Sequence, residues 1–222
     1  MKLETQGRIG RALVVSGLLG SVTTATLAAG EDWRLRVGPG RIAFHEQITL
    51  SIGGAPVPGA GAKLSNDTTL LAEIGYRFTP EWSAGLTVGI PPTTDIDGTG
   101  SAAAFGRLGE MKYGPLALTG QYQFNAGGRL QPYLGAGAVY YLVMDEKDGA
   151  VAGLTVDNAW GSVLQAGADY KLSPTLGLFV DVKKLFLKTT ASGSLPALGG
   201  APVKADAKLD PLVIQAGLLL QF

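Results

Sequence analysis

A chain of 222 residues with 18 Lys plus Arg, 18 Asp plus Glu and a single His carries no formal net charge, and 46% of it is hydrophobic with 0 Cys. That balance argues against a nucleic-acid partner, whose phosphates demand a basic surface, and the missing cysteines exclude a disulfide framework and thiol chemistry. Beyond the amino-terminal leader no segment approaches the roughly 20 apolar residues of a membrane helix, so a membrane-spanning chain would cross as strands.

The leader comes first. Lys2, Arg8 and Arg11 precede an apolar run over 12–19, then Ser21, Thr23 and Thr24 and the small residues Ala28 and Ala29. This is the layout of a secretory signal peptide, 1–29, with cleavage after Ala28 or Ala29. The remaining 30–222 are enough for one domain.

Segments of period two then recur, each about the ten residues that a tilted membrane strand needs. The first, 33–46, sets Trp33, Leu35 and Val37 against Arg34 and Arg36. The second, 67–78, sets Leu70, Ala72, Ile74, Tyr76 and Phe78 against Thr69, Glu73, Gly75 and Arg77. In the third, 82–90, Trp82, Ala84, Leu86, Val88 and Ile90 oppose Ser83, Gly85, Thr87 and Gly89. The fourth, 113–124, opposes Leu116, Leu118, Tyr122 and Phe124 to Ala117, Thr119, Gln121 and Gln123. In the fifth, 131–143, both parities carry apolar residues, and the set Leu134, Ala138, Tyr140 and Leu142 is assigned outward. The sixth, 159–172, opposes Trp160, Leu164, Ala166, Ala168, Tyr170 and Leu172 to Gln165, Gly167 and Asp169. The seventh, 175–189, sets Leu176, Leu178, Val180 and Val182 against Asp181 and Lys183, then changes phase near Leu185 and Leu187, which predicts a bulge. The eighth, 212–222, ends on Phe222.

Short connections with turn residues (78–82, 125–130, 172–175) alternate with long ones (47–66, 91–109, 144–158, 190–208) rich in Gly, Pro, Ala and Asp. The pattern predicts an all-β, eight-stranded antiparallel transmembrane β-barrel with short periplasmic turns and long extracellular loops. A soluble ligand-carrying barrel alternates equally well, with the faces reversed. The polar face decides between them: Arg34, Arg36, Glu73, Arg77, Gln121, Gln123, Gln165, Asp169, Asp181 and Lys183 balance both signs with amides, as suits pairing across a narrow lumen. The apolar face carries Trp33, Phe78, Trp82, Phe124, Tyr170 and Phe222 beside the short turns or chain ends, as an interfacial girdle does.

The sequence resembles the outer-membrane protein W (OmpW) family of Gram-negative bacteria in LQPYLGAGAVYYL (130–142), DNAWG (157–161) followed by QAGADYKL (165–172), and KLDPLVIQAGLLLQF (208–222). The resemblance implies residence in the cell outer membrane among lipid and lipopolysaccharide, and passage of small hydrophobic molecules, with an opening in the barrel wall as one way out. It also implies that the barrel-assembly machinery reads Phe222. One departure stands out: where apolar inward residues of the third and seventh strands narrow the family's channel, this chain has Thr87 and Lys183, so a polar constriction is expected.

Other chemistry is thinly represented. His45 stands at a strand end with no nucleophile beside it, which reads as a rim residue rather than the base of a lipid hydrolase. Asp95 and Asp97, and Asp145, Glu146 and Asp148, lack calcium-loop spacing, and the glycines at 53, 54, 59 and 61 lack a phosphate-loop lysine. No enzyme activity and no cofactor is expected. The lumen residues predicted to line a ligand path are Arg34, Arg36, Glu73, Arg77, Thr87, Gln121, Gln123, Gln165, Asp181 and Lys183, with Glu73–Arg77 and Asp181 with Arg34 or Arg36 as the expected charge pairs. The alternative is a plugged structural barrel whose loops serve as a surface receptor or stress-response envelope protein.

Overall fold

The computed structural model describes residues 32–222; the expected leader at 1–29 lies outside the described residues. The strands in chain order are β1 Trp33–Ala43, β2 Gln47–Ile52, β3 Ala55–Pro56, β4 Ala60–Leu64, β5 Asp67–Arg77, β6 Trp82–Gly89, β7 Thr93–Gly100, β8 Arg107–Gln123, β9 Leu130–Asp148, β10 Ala152–Val156, β11 Ala159–Lys171, β12 Leu176–Leu195, β13 Ala201–Lys208 and β14 Leu212–Gln221. Eight of them pair antiparallel in the cycle β1–β5–β6–β8–β9–β11–β12–β14 and back to β1. Closure leaves no free edge, which is what a bilayer demands of strands. The chain ends meet at the short-turn rim, where Trp33 and Phe222 exchange backbone hydrogen bonds of 3.1 Å.

Alternation places the greasy parity outside. Leu70, Ile74, Leu86, Leu118, Leu164, Val180, Ile214 and Leu218 are exposed, and Arg34, Glu73, Gln121, Gln165 and Asp181 on the other parity are buried. In β9 the outward set is Leu134, Ala138, Tyr140 and Leu142, while Tyr133, Val139 and Tyr141 point inward. Trp33, Tyr76 and Phe78, and Trp82, Tyr122 and Phe124, form edge-to-face chains on the outside near the short-turn rim. Leu118 is 58% exposed within this apolar belt. Leu118→Arg is therefore expected to cost about 2–4 kcal/mol in urea unfolding from lipid vesicles. Thr49→Arg, on exposed β2 opposite Asp206, is expected to change stability by less than about 0.5 kcal/mol. Equal losses at the two positions would mean that the faces are assigned the wrong way round.

The structure departs from the sequence reading at the long-loop end. The supposed loops are largely sheet: β8, β9 and β12 run to 17, 19 and 20 residues, and β2, β3, β4, β7, β10 and β13 extend the wall. Positive φ at Gly53, Gly54 and Gly59 closes the tight turns between β2, β3 and β4, so these glycines serve turn geometry rather than loose loops. Nor does β12 bulge. Its register is unbroken against β14 from Leu176 to Lys184 and against β11 from Gly177 to Leu187, and Leu185 and Leu187 face inward on the same parity as Asp181 and Lys183. The apparent phase change is a change in what the lumen is made of.

Candidate functional site

The lower lumen, toward the short turns, is filled by one buried polar network. Arg36 donates from Nε and Nη2 to the two carboxylate oxygens of Asp169 at 2.8 and 2.6 Å, and from Nη1 to Glu73 Oε1 at 2.5 Å. Its guanidinium lies 4.2 Å from the centre of the Tyr133 ring. Glu73 Oε2 accepts from Thr87 Oγ1 (3.0 Å) and Gln165 Nε2 (2.9 Å), with Lys183 Nζ at 3.1 Å. Asp181 accepts from Lys183 (2.5 Å), Tyr133 Oη (2.6 Å) and Gln165 (2.7 Å). Arg34 donates to Gln121, Gln123 and Ser83.

The cations Arg34, Arg36 and Lys183 thus face the carboxylates Glu73, Asp169 and Asp181, every one at most 3% exposed. Opposite charges, hydrogen-bonded throughout except at Arg34 Nε, are what make such burial tolerable. Room for the network comes from inward glycines. A methyl group at Gly167 would lie 2.4 Å from Tyr133 Oη, and one at Gly85 would lie 2.7 Å from Gln121 Nε2.

Nine of the ten predicted lumen residues meet in this network. Arg77 does not: it sits half-buried at the short-turn rim and Glu73 takes Arg36 and Lys183 instead. Asp181 pairs with Lys183 rather than with Arg34 or Arg36, because the stagger of the strands brings Asp169 to the arginines. Thr87 and Lys183, the two residues at which the sequence departs from the family's apolar pattern, are buried and both meet Glu73 Oε2. Tyr133, Asp169 and Ser83 are among the members the lining set lacked, although all three carry the inward parity of their strands.

Above Lys183 the same inward face turns apolar. Ile42, Leu71, Val139, Val163, Leu185, Leu187 and Val213 line the barrel, and Phe44, Tyr113 and Tyr141 cross it. Tyr113 stacks on Tyr141 with ring centres 4.9 Å apart and meets Phe44 edge-on at 5.8 Å, while its hydroxyl donates to Asp67 Oδ2 at 3.0 Å. Beyond them the extended sheet encloses a cavity of about 600 Å³, counted with its open mouth, lined by Ile48, Leu64, Ile96, Leu108, Met111, Leu154 and Val156 among others. A second apolar space continues outward past Val57, Phe105 and Leu195. The mouth is therefore built by inward strand residues. Val57, in the turn after β3, lines the second space, whereas Ile90 is exposed on the outer wall.

The wall beside this chamber is interrupted. The β6–β8 ladder ends at Thr87↔Ala117, and pairing with β8 resumes through β7 at Thr93↔Lys112. Among the described residues no strand pairing joins 88–92 to 113–116. Pro91, Pro92 and Pro115 have no N–H to offer there, Ile90 N–H is committed to Leu70 O on the other side, and Tyr113 N–H reaches Pro92 O at 3.2 Å. Tyr113 backs the interruption from inside, and Met144 and Pro91 lie over Gly114.

The remaining candidate groups are structural. Arg107 binds Asp95 (2.5 Å), Glu110 (3.1 Å) and Asp97 (3.6 Å) on the outer surface. The Gly153 and Leu154 amides, donating to Asp148, hold its carboxyl below the ordinary range, and Glu146 accepts from Val156 N–H. His45 is an exposed rim residue whose backbone N–H bonds Leu209 O.

The OmpW family model matches residues 30–222. The chain belongs to the OmpW family. Among OmpW relatives, the "Dibenzothiophene metabolism operon protein PahQ" of Pseudomonas aeruginosa is 33% identical over 201 residues, covering 90% of this chain and 93% of that one. "Outer membrane protein AlkL" of Ectopseudomonas oleovorans is 31% identical over 187 residues, covering 84% and 80%. The crystal structure of outer membrane protein OprG from Pseudomonas aeruginosa superposes with a TM-score of 0.82 at 26% identity, covering 86% of this chain and 96% of that one. This OmpW protein is an outer-membrane β-barrel, with its short turns toward the periplasm and its extended strands outside the cell.

Proposed function

We propose that this barrel lets small apolar molecules cross the outer membrane passively: they enter the apolar chamber from outside and leave sideways into the bilayer through the interrupted wall between β6 and β8. The observation that carries this reading is the change of lumen chemistry at Lys183. An apolar solute is stabilised by the aliphatic chamber above that level and meets a fully paired ionic network below it. Descent to the periplasm would strip hydrogen bonds from buried charges, whereas the wall beside Tyr113 is held by few backbone bonds and carries exposed Ile90 and Leu116 on its outer side. The chamber's lining is aliphatic almost throughout, with Ile48, Leu64, Ile96, Leu108 and Met111 among its walls. The name of the PahQ relative points to dibenzothiophene, a planar apolar aromatic, as a reasonable member of the solute class.

On this reading Arg34, Arg36, Glu73, Thr87, Gln121, Gln123, Gln165, Asp181 and Lys183 are the floor of the path rather than its lining, with Arg77 at the rim beneath. Phe222, exposed at the end of β14, is the residue for the barrel-assembly machinery to read. No chemical step is required of the protein. Cells lacking it should take up a multi-ring apolar aromatic several-fold more slowly than cells that overproduce it, with uptake of a small hydrophilic solute unchanged. Equal uptake of the aromatic in both would favour the plugged surface-receptor reading, for which the closed ionic floor is the motivating observation.

A further inference from the structure

The outer face of the extended sheet carries a lysine cluster that folding alone does not account for. Lys188 on β12 and Lys208 on β13 are direct antiparallel partners, and both are exposed. Like charges directly opposite each other on one face of a sheet are destabilising. Lys184, four residues before Lys188 on the same face with Phe186 between them, donates to the main-chain carbonyl of Asp210, and Asp210 Oδ2 lies 3.1 Å from Lys208 Nζ. The Asp210 carboxylate therefore meets one lysine of the three, and among the described residues no ion pair reaches Lys188. Higher on the same face the charges are matched, with Lys204 and Asp206 paired at 3.3 Å.

The height of the cluster is set by its neighbours. On β12 the exposed Phe186 stands two residues below Lys188 and belongs to the apolar belt. On β11, Gly161 pairs with Leu187, so Trp160 stands one step farther on, level with Lys188. Trp160 is 72% exposed and leans on Tyr140 with ring centres 4.8 Å apart. An exposed Trp–Tyr pair just above an apolar belt marks a membrane–water boundary. At this end of the barrel that boundary belongs to the outer leaflet, whose lipid carries phosphates on a glucosamine disaccharide.

We infer that Lys188 and Lys208, assisted by Lys184, form a binding site for a phosphate of lipid A, with Trp160 against the adjoining sugar or acyl chain. The anion converts a repulsive lysine pair into two charge-assisted contacts, and it would fix the rotational setting of the barrel in the leaflet. This inference rests on the outer-membrane location and not on solute passage.

The test uses the full mature barrel in nanodiscs of zwitterionic lipid, with binding of lipid A read by native mass spectrometry. Bisphosphorylated lipid A should bind the wild type roughly tenfold more tightly than it binds Lys188→Gln/Lys208→Gln. Lys204→Gln, whose lysine is already paired, should match the wild type, and heat-modifiable gel mobility shows that each variant is folded. Dephosphorylated lipid A should bind wild type and double variant alike. Undiminished binding to a folded double variant, or equal binding of dephosphorylated lipid A to the wild type, would overturn the site. Inorganic phosphate that competes at millimolar concentration would overturn the assignment to lipid.

Discussion

Replacing Arg36 by Leu is expected to cost about 3–5 kcal/mol of folding stability, among the largest losses of any single substitution in the chain. Arg36 is 1% exposed and is the hub of the ionic floor, bonded to both oxygens of Asp169 and to Glu73. Its removal leaves Asp169 with Arg34 at 3.9 Å as the nearest cation, and Glu73 with Lys183 at 3.1 Å. A buried charge without its partner costs far more than the pair contributes, so Arg36→Leu/Asp169→Leu should recover most of the loss. The check is urea unfolding in lipid vesicles followed by heat-modifiable mobility. A single-variant loss below about 1 kcal/mol would mean that water, not protein, satisfies the lower lumen.

The belt and the barrel were legible because a bilayer imposes one rule on every strand: alternate, and put the apolar parity outside. Leu116, Leu118 and Tyr122 against Thr119, Gln121 and Gln123 show that rule on a single strand. Beyond the membrane that rule lapses. In β13 the outward residues Lys204, Asp206 and Lys208 are polar and the inward ones are Val203, Ala205 and Ala207, the opposite of the belt, so this stretch passed for loop. The same inversion explains β12. Leu185 and Leu187 follow Asp181 and Lys183 on one face, and a lumen assumed to be polar throughout turns that run into an apparent bulge. Charge partners were legible in kind but not in pairing. Asp169 stands 133 residues from Arg36, and which inward side chains meet depends on strand stagger, which no local pattern records. The three prolines at 91, 92 and 115 were visible, yet only the register shows that they fall in one unpaired stretch of the wall.

That unpaired stretch offers the sharpest test of solute passage through the wall. Val88 and Leu116 are the next positions beyond the last β6–β8 pair, Thr87↔Ala117, and both are exposed on the outer face. The chain has 0 Cys, so Val88→Cys/Leu116→Cys introduces a single possible bridge, within the geometry that opposite strand positions allow. Uptake of a multi-ring apolar aromatic should be measured in cells carrying this variant, oxidised and then reduced, with bridge formation followed by gel mobility. The expected result is that the oxidised barrel supports uptake no faster than cells lacking the protein, and that reduction restores the wild-type rate. Undiminished uptake through a barrel shown to be bridged would contradict exit between β6 and β8.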